Sequence, residues 1–276
     1  MSGHSKWAKI KRSKGLADAK RGATFTKIGN QITIAAKQGG GDPSMNFILR
    51  LAIDKAKVEN MPKDNIQKAI DRGTGKGGEN IVFENASYEG MMGGDVMFVI
   101  DTLTDSKNRT VAELKKIIES SGGTLGAVGS VLWQFDQYGR VNIFLAKTEK
   151  SEKYGGIDTL KRDNENLDDI ILQILDIQGV HDVKETEFEF DGQDDLKNDG
   201  SSEYKGLEIY TDPAALSQAT KSVESLGYKI ESSELVQLPK NQIEIGGERI
   251  NKLENLLGNL DEQDDVQNVW TNVAGY

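Results

Sequence analysis

Ala23-Thr24-Phe25-Thr26-Lys27-Ile28-Gly29-Asn30-Gln31-Ile32-Thr33-Ile34-Ala35-Ala36-Lys37 is the stretch from which the architecture is read outward. Phe25, Ile28, Ile32 and Ala35 recur at steps of three and four, the spacing of an amphipathic helix. Gly39-Gly40-Gly41 ends it, and Asp42-Pro43 opens the next helix, with Asp42 suited to the N-cap and Pro43 to the first helical position. That second helix buries Phe47, Ile48, Leu51, Ala52 and Ala56 and sets Arg50, Asp54 and Lys57 on its other side. A third helix begins near Pro62, buries Ile66, Ala69 and Ile70, and stops at Gly73. The first 76 residues therefore read as a small helical domain.

Upstream, charge dominates. Met1 to Arg21 is too poor in apolar residues to form a core alone, and Trp7 and Ile10 are its large anchors before Leu16. A strand or loop pinned at Trp7 is expected there. Lys6, Lys9, Lys11, Arg12, Lys14, Lys20, Arg21 and Lys27 crowd into a span whose one acid is Asp18. Residues 1–76 hold sixteen Lys and Arg against six Asp and Glu, a balance of +10. The whole chain is −10, so residues 77–276 carry −20. A chain so polarised has one part built to meet an anion. Each cation that meets a phosphate releases a counterion, so this cluster points to a polyanion bound with steep salt dependence. Arg50, Lys57 and Lys63 are expected to help. Trp7 either anchors the segment or stacks on an exposed base.

Downstream of Lys76 the period changes. Gly73-Thr74-Gly75-Lys76-Gly77-Gly78 formally matches G-x-G-x-x-G, but a helix precedes it and strand-like Ile81-Val82-Phe83 follows, so it reads as a linker. Ala86 to Gly90 and Asp95 to Asp101 read as strands, and Thr110-x-x-Glu113 as a capping box before a helix of Val111, Leu114, Ile117 and Ile118. Val131 to Phe135 and Arg140 to Leu145 read as a hairpin turning at Gln137-Tyr138-Gly139. Further helices are marked by Leu167 to Leu175, by Leu216, Val223 and Leu226 after Asp212-Pro213, and by Ile250 to Leu260. Strands are expected at Val183 to Phe190, Leu207 to Tyr210, Tyr228 to Leu238 and Val266 to Val269, and solvated loops at 147–166 and 190–204. Short strands alternating with single helices give an α+β multidomain chain: a helical N-terminal domain, then two α+β layers with antiparallel sheets. The periodicity alone leaves open which layer the last helix and strand complete.

Little in the sequence suggests catalysis. There is no cysteine, which excludes disulfides and thiolate nucleophiles and suits a reducing, cytoplasmic setting. The two histidines, His4 and His181, share no ligand spacing, and His181 reads as a surface or cap residue. No Walker-type phosphate loop occurs, and Asp191 to Gly200 misses the EF-hand spacing because Lys197 falls on a ligand position. Carboxylate pairs such as Glu187 and Glu189 are numerous, and none stands out as an acid–base couple. No run approaches a membrane span and no signal-peptide core follows the basic start. No enzyme, metal or cofactor is expected, and the oligomeric state is left open, with a monomer compatible.

Gly3-His4-Ser5-Lys6-Trp7, Asp18-Ala19-Lys20-Arg21-Gly22, Gly39-Gly40-Gly41-Asp42-Pro43, Asn60-Met61-Pro62-Lys63-Asp64-Asn65-Ile66, Tyr88-Glu89-Gly90, Asn108-Arg109-Thr110-Val111-Ala112-Glu113 and Gly129-Ser130-Val131 occur in this order. On these motifs the chain closely resembles the YebC/PmpR family, bacterial proteins with mitochondrial relatives. The resemblance implies three domains around a cleft: 1–78, a split domain of 79–130 with 235–276, and an inserted domain of 131–234. It also implies a DNA-binding transcriptional regulator, or alternatively a ribosome-associated translation factor that binds ribosomal RNA and relieves stalled translation. In the second case Val236-Gln237-Leu238-Pro239-Lys240 is a candidate functional loop; the plainer reading is an edge strand ended by Pro239. Family members usually carry Arg-Glu before the Ile of the first helix, where this chain has Asn30-Gln31. Residues 147–166 and 190–204 are longer and more acidic than in typical members, and the loop Met91-Met92-Gly93-Gly94 lacks the family's usual proline.

Overall fold

The computed structural model describes residues 17–76, 83–150, 158–162, 166–189 and 203–276. The first element, α1 (Ala17–Gly39), starts about two turns before the apolar repeat does, and buries Ile28, Ile32, Ala35 and Ala36. It packs on α2 (Phe47–Val58) and α3 (Lys63–Gly73). Thr33 ties α1 to α3 by donating its hydroxyl to the Ala69 carbonyl at 3.1 Å. Gly73 permits the approach, since a Cβ there would collide with the Thr33 carbonyl oxygen.

Two expectations for α2 are corrected. Asp42 does not cap it; its carboxylate is taken by the backbone N–H and hydroxyl of Ser44 in a preceding turn. Asn46 is the cap: its Oδ1 accepts from Leu49 N–H at 3.1 Å while its Nδ2 donates to the carbonyls of Ala35 and Gly40. Starting four residues later rotates the buried face. Leu49, Ala52 and Ala56 are inside, whereas Ile48 is 59% exposed and Phe47 and Leu51 are half-buried.

Beyond the helices lies a four-stranded antiparallel sheet in the order β3 (Gly123–Leu125), β1 (Glu84–Met92), β2 (Val96–Thr104), β9 (Val266–Thr271). One face buries Phe98 and Ile100 against Leu114 and Ile118 of α4 (Lys107–Ser120) and Leu253, Leu256, Leu257 and Leu260 of α7 (Glu248–Asp261). The other face holds Val99 with Val131 and Phe135. Burial on both faces is why Met97 to Ile100 is a continuous apolar run rather than an alternating one.

A second antiparallel sheet runs β5 (Asp158–Arg162), β4 (Phe135–Lys150), β7 (Glu203–Thr211), β6 (Val180–Glu189), with β8 (Tyr228–Pro239) also on β4. Val141, Ile143, Leu207 and Ile209 face Ile170 and Ile174 of α5 (Leu167–Leu175) and Val223 of α6 (Leu216–Ser225). By contacts the chain divides into a unit running to 136 and resuming at 238–274, and another of 137–237. The expected fold class holds: α+β, with a helical N-terminal region and two antiparallel sheets.

The second sheet corrects two readings. No hairpin turns at Gln137-Tyr138-Gly139; β4 runs straight through it, and Gly139 is there because Thr211 and Leu216 fill the space of a side chain. Val131 to Gln134 is not a strand but a loop ending in a 3-10 turn, Leu132–Gln134. Part of the polar stretch 147–166 is also strand, with Lys147↔Lys161 and Glu149↔Thr159 in register. An edge ladder needs backbone groups and not apolar side chains, so composition does not reveal it.

Candidate nucleic-acid interface

Of the cations expected to grip phosphate, Lys6, Lys9, Lys11, Arg12 and Lys14 lie outside the described residues, as does Trp7. Lys20 and Arg21 fall in the first turns of α1. The remaining four separate. Lys63 is exposed at the start of α3, and Lys57 is exposed and paired with Asp54 at 2.8 Å one helical turn away. Arg50 lays its guanidinium over the Phe47 ring at 5.0 Å, a cation–π contact that holds the side chain along α2. Lys27 turns inward: its Nζ donates to the Asp261 carbonyl at 2.5 Å and lies 3.4 Å from the Asp261 carboxylate, with 12% of the side chain exposed. Lys27 is thus a fastener between α1 and the end of α7. Lys37, Lys55 and Lys68, not singled out from the sequence, are exposed on the same three helices.

The helical domain therefore keeps its described, exposed cations on α1–α3, while Lys27 is spent inside. One turn beyond Lys27, Gln31 donates its Nε2 to Gln267 Oε1 at 2.9 Å. On the neighbouring stripe of α1, Thr26 and Asn30 line an open cleft of about 520 Å³. Its opposite walls are the start of α4, with Asp105, Arg109 and Glu113, and the turn after α7, with Glu262, Gln263, Asp264 and Asp265; Phe83 completes it.

That cleft is organised by Asp265, a residue that no motif or periodicity singles out. Its buried carboxylate accepts from Arg109 Nη2 at 3.0 Å and from Thr110 Oγ1 at 2.7 Å. Arg109 also reaches Asp105 at 2.9 Å, and the hydrogen bond to Asp265 raises the affinity of its guanidinium for its proton. Thr110 is fully buried inside α4 and bonded to Thr104 as well, so it is no N-cap; Ser106 holds that position. The capping-box reading of Thr110 and Glu113 is therefore corrected: Glu113 accepts instead from Gln263 Nε2 at 2.5 Å.

A second anchor is Glu89, buried on β1. Its carboxylate accepts the backbone N–H groups of Gly129 at 2.5 Å, Val131 at 2.7 Å and Leu132 at 2.8 Å. Burial pushes this carboxyl upward, yet those N–H groups outweigh it and hold it below its ordinary value. The loop so fixed exposes Val128, Leu132 and Trp133. Lys240 donates its backbone N–H to the Gln134 carbonyl and its Nζ to the Trp133 carbonyl at 2.9 Å. Of the candidate segment, Val236 to Pro239 is the end of β8 and Lys240 follows it, with Val236 buried and Leu235 exposed. His181, at the surface, meets Asp212 Oδ1 at 2.7 Å. Among the described residues no group of three or more His, Cys, Asp or Glu could hold a metal ion, and no helix is long and apolar enough to cross a membrane.

Residues 5–76 match the family model of the TACO1/YebC protein N-terminal domain, and residues 83–273 that of the TACO1/YebC second and third domain. The chain belongs to the TACO1/YebC family. It is 41% identical over 274 residues to a probable transcriptional regulatory protein of Caldanaerobacter subterraneus, covering 99% of this chain and 98% of that one. A protein of the same description from Lactiplantibacillus plantarum is 37% identical over 270 residues, covering 98% and 97%. The crystal structure of a conserved hypothetical protein from Aquifex aeolicus superposes with a TM-score of 0.70 at 30% identity, covering 98% of this chain and 96% of that one. Within this TACO1/YebC chain, Tyr88-Glu89-Gly90 and Gly129-Ser130-Val131 are two halves of one device, the carboxylate and the N–H groups it holds. Gly90 has a separate reason, since any side chain there would strike the Phe98 ring.

Proposed function

We propose that this protein is a non-enzymatic regulator of gene expression that binds nucleic acid through its N-terminal helical domain, acting as a DNA-binding transcriptional regulator. The observation that carries the reading is the charge partition, +10 over residues 1–76 against −20 over the rest. A soluble surface does not require that concentration of one sign, and phosphate does. The names of the relatives agree with it. Lys6, Lys9, Lys11, Arg12, Lys14, Lys20 and Arg21 would supply the grip, helped by Arg50, Lys57 and Lys63. The acidic remainder would repel phosphate and so orient the module. The domain limits 1–78, 79–130 with 235–276, and 131–234 are part of the same proposal.

Reversing Lys9, Lys11 and Lys14 to Glu tests it. Binding to duplex DNA should weaken and the slope of log affinity against log salt should flatten by roughly three phosphate contacts. An unchanged slope would mean that this segment is not the contact.

The second reading is a ribosome-associated translation factor. It is favoured by the exposed Trp133 and Leu132 beside Lys240, an aromatic and cationic pairing suited to unpaired RNA bases. Sedimentation with ribosomes at moderate salt, without retention on DNA, would select it.

A further inference from the structure

Helix α5 is apolar on its solvent side as well as on its core side. Ile170 and Ile174 are buried, yet Leu172, half a turn round from both, is 61% exposed, and Leu175 is 39% exposed. Asp168, Asp169 and Asp176 are exposed around the two leucines, and residues 163–183 contain neither Lys nor Arg. A helix that is apolar all round is ordinarily covered on every side. Scattered exposed leucines need no explanation, but two adjoining ones inside a ring of carboxylates make a docking surface for something basic and apolar.

The chain itself carries a surface of that chemistry. On α2, Ile48 is exposed, Leu51 half-buried and Lys55 exposed, and they follow one stripe at steps of three and four. This stripe reads apolar, apolar, cation, whereas Asp168, Leu172 and Leu175 on α5 read acid, apolar, apolar. Both run from one residue to the seventh beyond it, about 10 Å along the axis. Laid antiparallel, Ile48 meets Leu175, Leu51 meets Leu172 and Lys55 meets Asp168. Laid parallel, Ile48 would meet Asp168 and Lys55 would meet Leu175. The helix ends favour the same direction. Lys55 and Lys57 stand in the last turn of α2, and Asp168 and Asp169 in the first turn of α5. Antiparallel contact brings together opposite side-chain charges and opposite dipole ends.

From this match we infer that the protein self-associates, with α2 of one copy docked antiparallel on α5 of a second. Both stripes are exposed in the single chain, so each takes its cover from outside it. The contact joins two different surfaces. Made reciprocally it closes a pair, and made in one direction it runs on as a chain. So small a contact is weak, and the association depends on concentration.

Sedimentation velocity of the nuclease-treated, full-length protein over a range of concentrations tests it. The wild-type sedimentation coefficient should rise with concentration. Ile48→Asp and Leu172→Asp should each abolish the rise, and mixing the two variants should restore it, because one keeps α5 intact and the other keeps α2. Lys55→Glu should weaken association at least about tenfold by setting like charges together. Adding Asp168→Lys in the same chain should recover it. All four positions are exposed, so circular dichroism and the unfolding midpoint of the dilute variants should match wild type. A coefficient that does not change with concentration would overturn the inference, as would a mixture that stays monomeric. So would an Ile48→Asp variant that still associates, since α5 would then meet some surface other than α2. Failure of Asp168→Lys to rescue Lys55→Glu would reject the antiparallel register and with it the proposed contact.

Discussion

The carboxylate of Glu89 accepts the backbone N–H of Val131 at 2.7 Å, across forty-two residues of chain. A strand residue thereby shapes a loop that would otherwise need to satisfy its own N–H groups. Glu89→Gln keeps the size but sets an amide N–H₂ against those donors. It should cost about 2–3 kcal/mol, the scale of losing hydrogen bonds to a charged acceptor, measured by urea unfolding.

The same residue predicts a pH dependence. Its folded value lies below the ordinary 4.5, so the unfolded chain takes up the proton first as pH falls. Glu89 therefore contributes stability above about pH 4.5 that is lost as pH drops through the folded value. Wild-type protein should lose urea resistance in this range more steeply than Glu89→Gln. Parallel curves would show that the carboxylate is not the titrating group.

At the second anchor, Thr110→Val preserves shape and removes the hydroxyl that serves Asp265 and Thr104. Asp265 keeps Arg109, so the cost should be about 1–2 kcal/mol and not a collapse. Thermal unfolding of Thr110→Val beside Thr110→Ser would separate the lost hydrogen bond from the changed volume.

Position 48 against position 49 tests the orientation of α2. Leu49→Ala should destabilise by about 2–5 kcal/mol as a core truncation, whereas Ile48→Ser at an exposed site should stay within about 0.5 kcal/mol. The reverse order would restore the face expected from the sequence.

In the 137–237 unit, Arg140 donates to Glu234 at 2.6 Å and lies 3.9 Å from the fully buried Glu208, which also accepts from Tyr210 at 3.0 Å. Burial, with Glu208 beside it, pushes the Tyr210 phenol upward. Arg140→Ala strands a buried carboxylate and should cost about 3–5 kcal/mol. In the wild type, an ultraviolet titration should place Tyr210 among the last tyrosines to ionise.

What could be read in advance follows a physical line. Ile28, Ile32 and Ala35, and Leu253 to Leu260, announce themselves because a buried stripe must repeat at the helix period. Asn46 could not be preferred to Asp42, since both side chains cap equally well and the choice rests on the carbonyls of Ala35 and Gly40 that only Asn can donate to. Glu89 and Thr110 stood in recognisable motifs, but what they and Asp265 bind could not be read, because the partners lie far along the chain. Lys27 and Lys63 look alike in sequence; one is spent on Asp261, 234 residues away, and the other faces water. A cation's role is decided by its partner, and composition counts cations alone.

The sheet order β3-β1-β2-β9 carries a consequence for biosynthesis. Strand β2 has its partner β1 within a few residues but must wait for β9, which leaves the ribosome after 137–237 has been made. During that interval β2 presents an unsatisfied edge, the kind that invites pairing with another nascent chain. The intervening unit can complete its own five strands first, so the order of events is enforced by topology: the guest closes before the host. Clipping the chain ahead of Val266 would leave that edge open permanently.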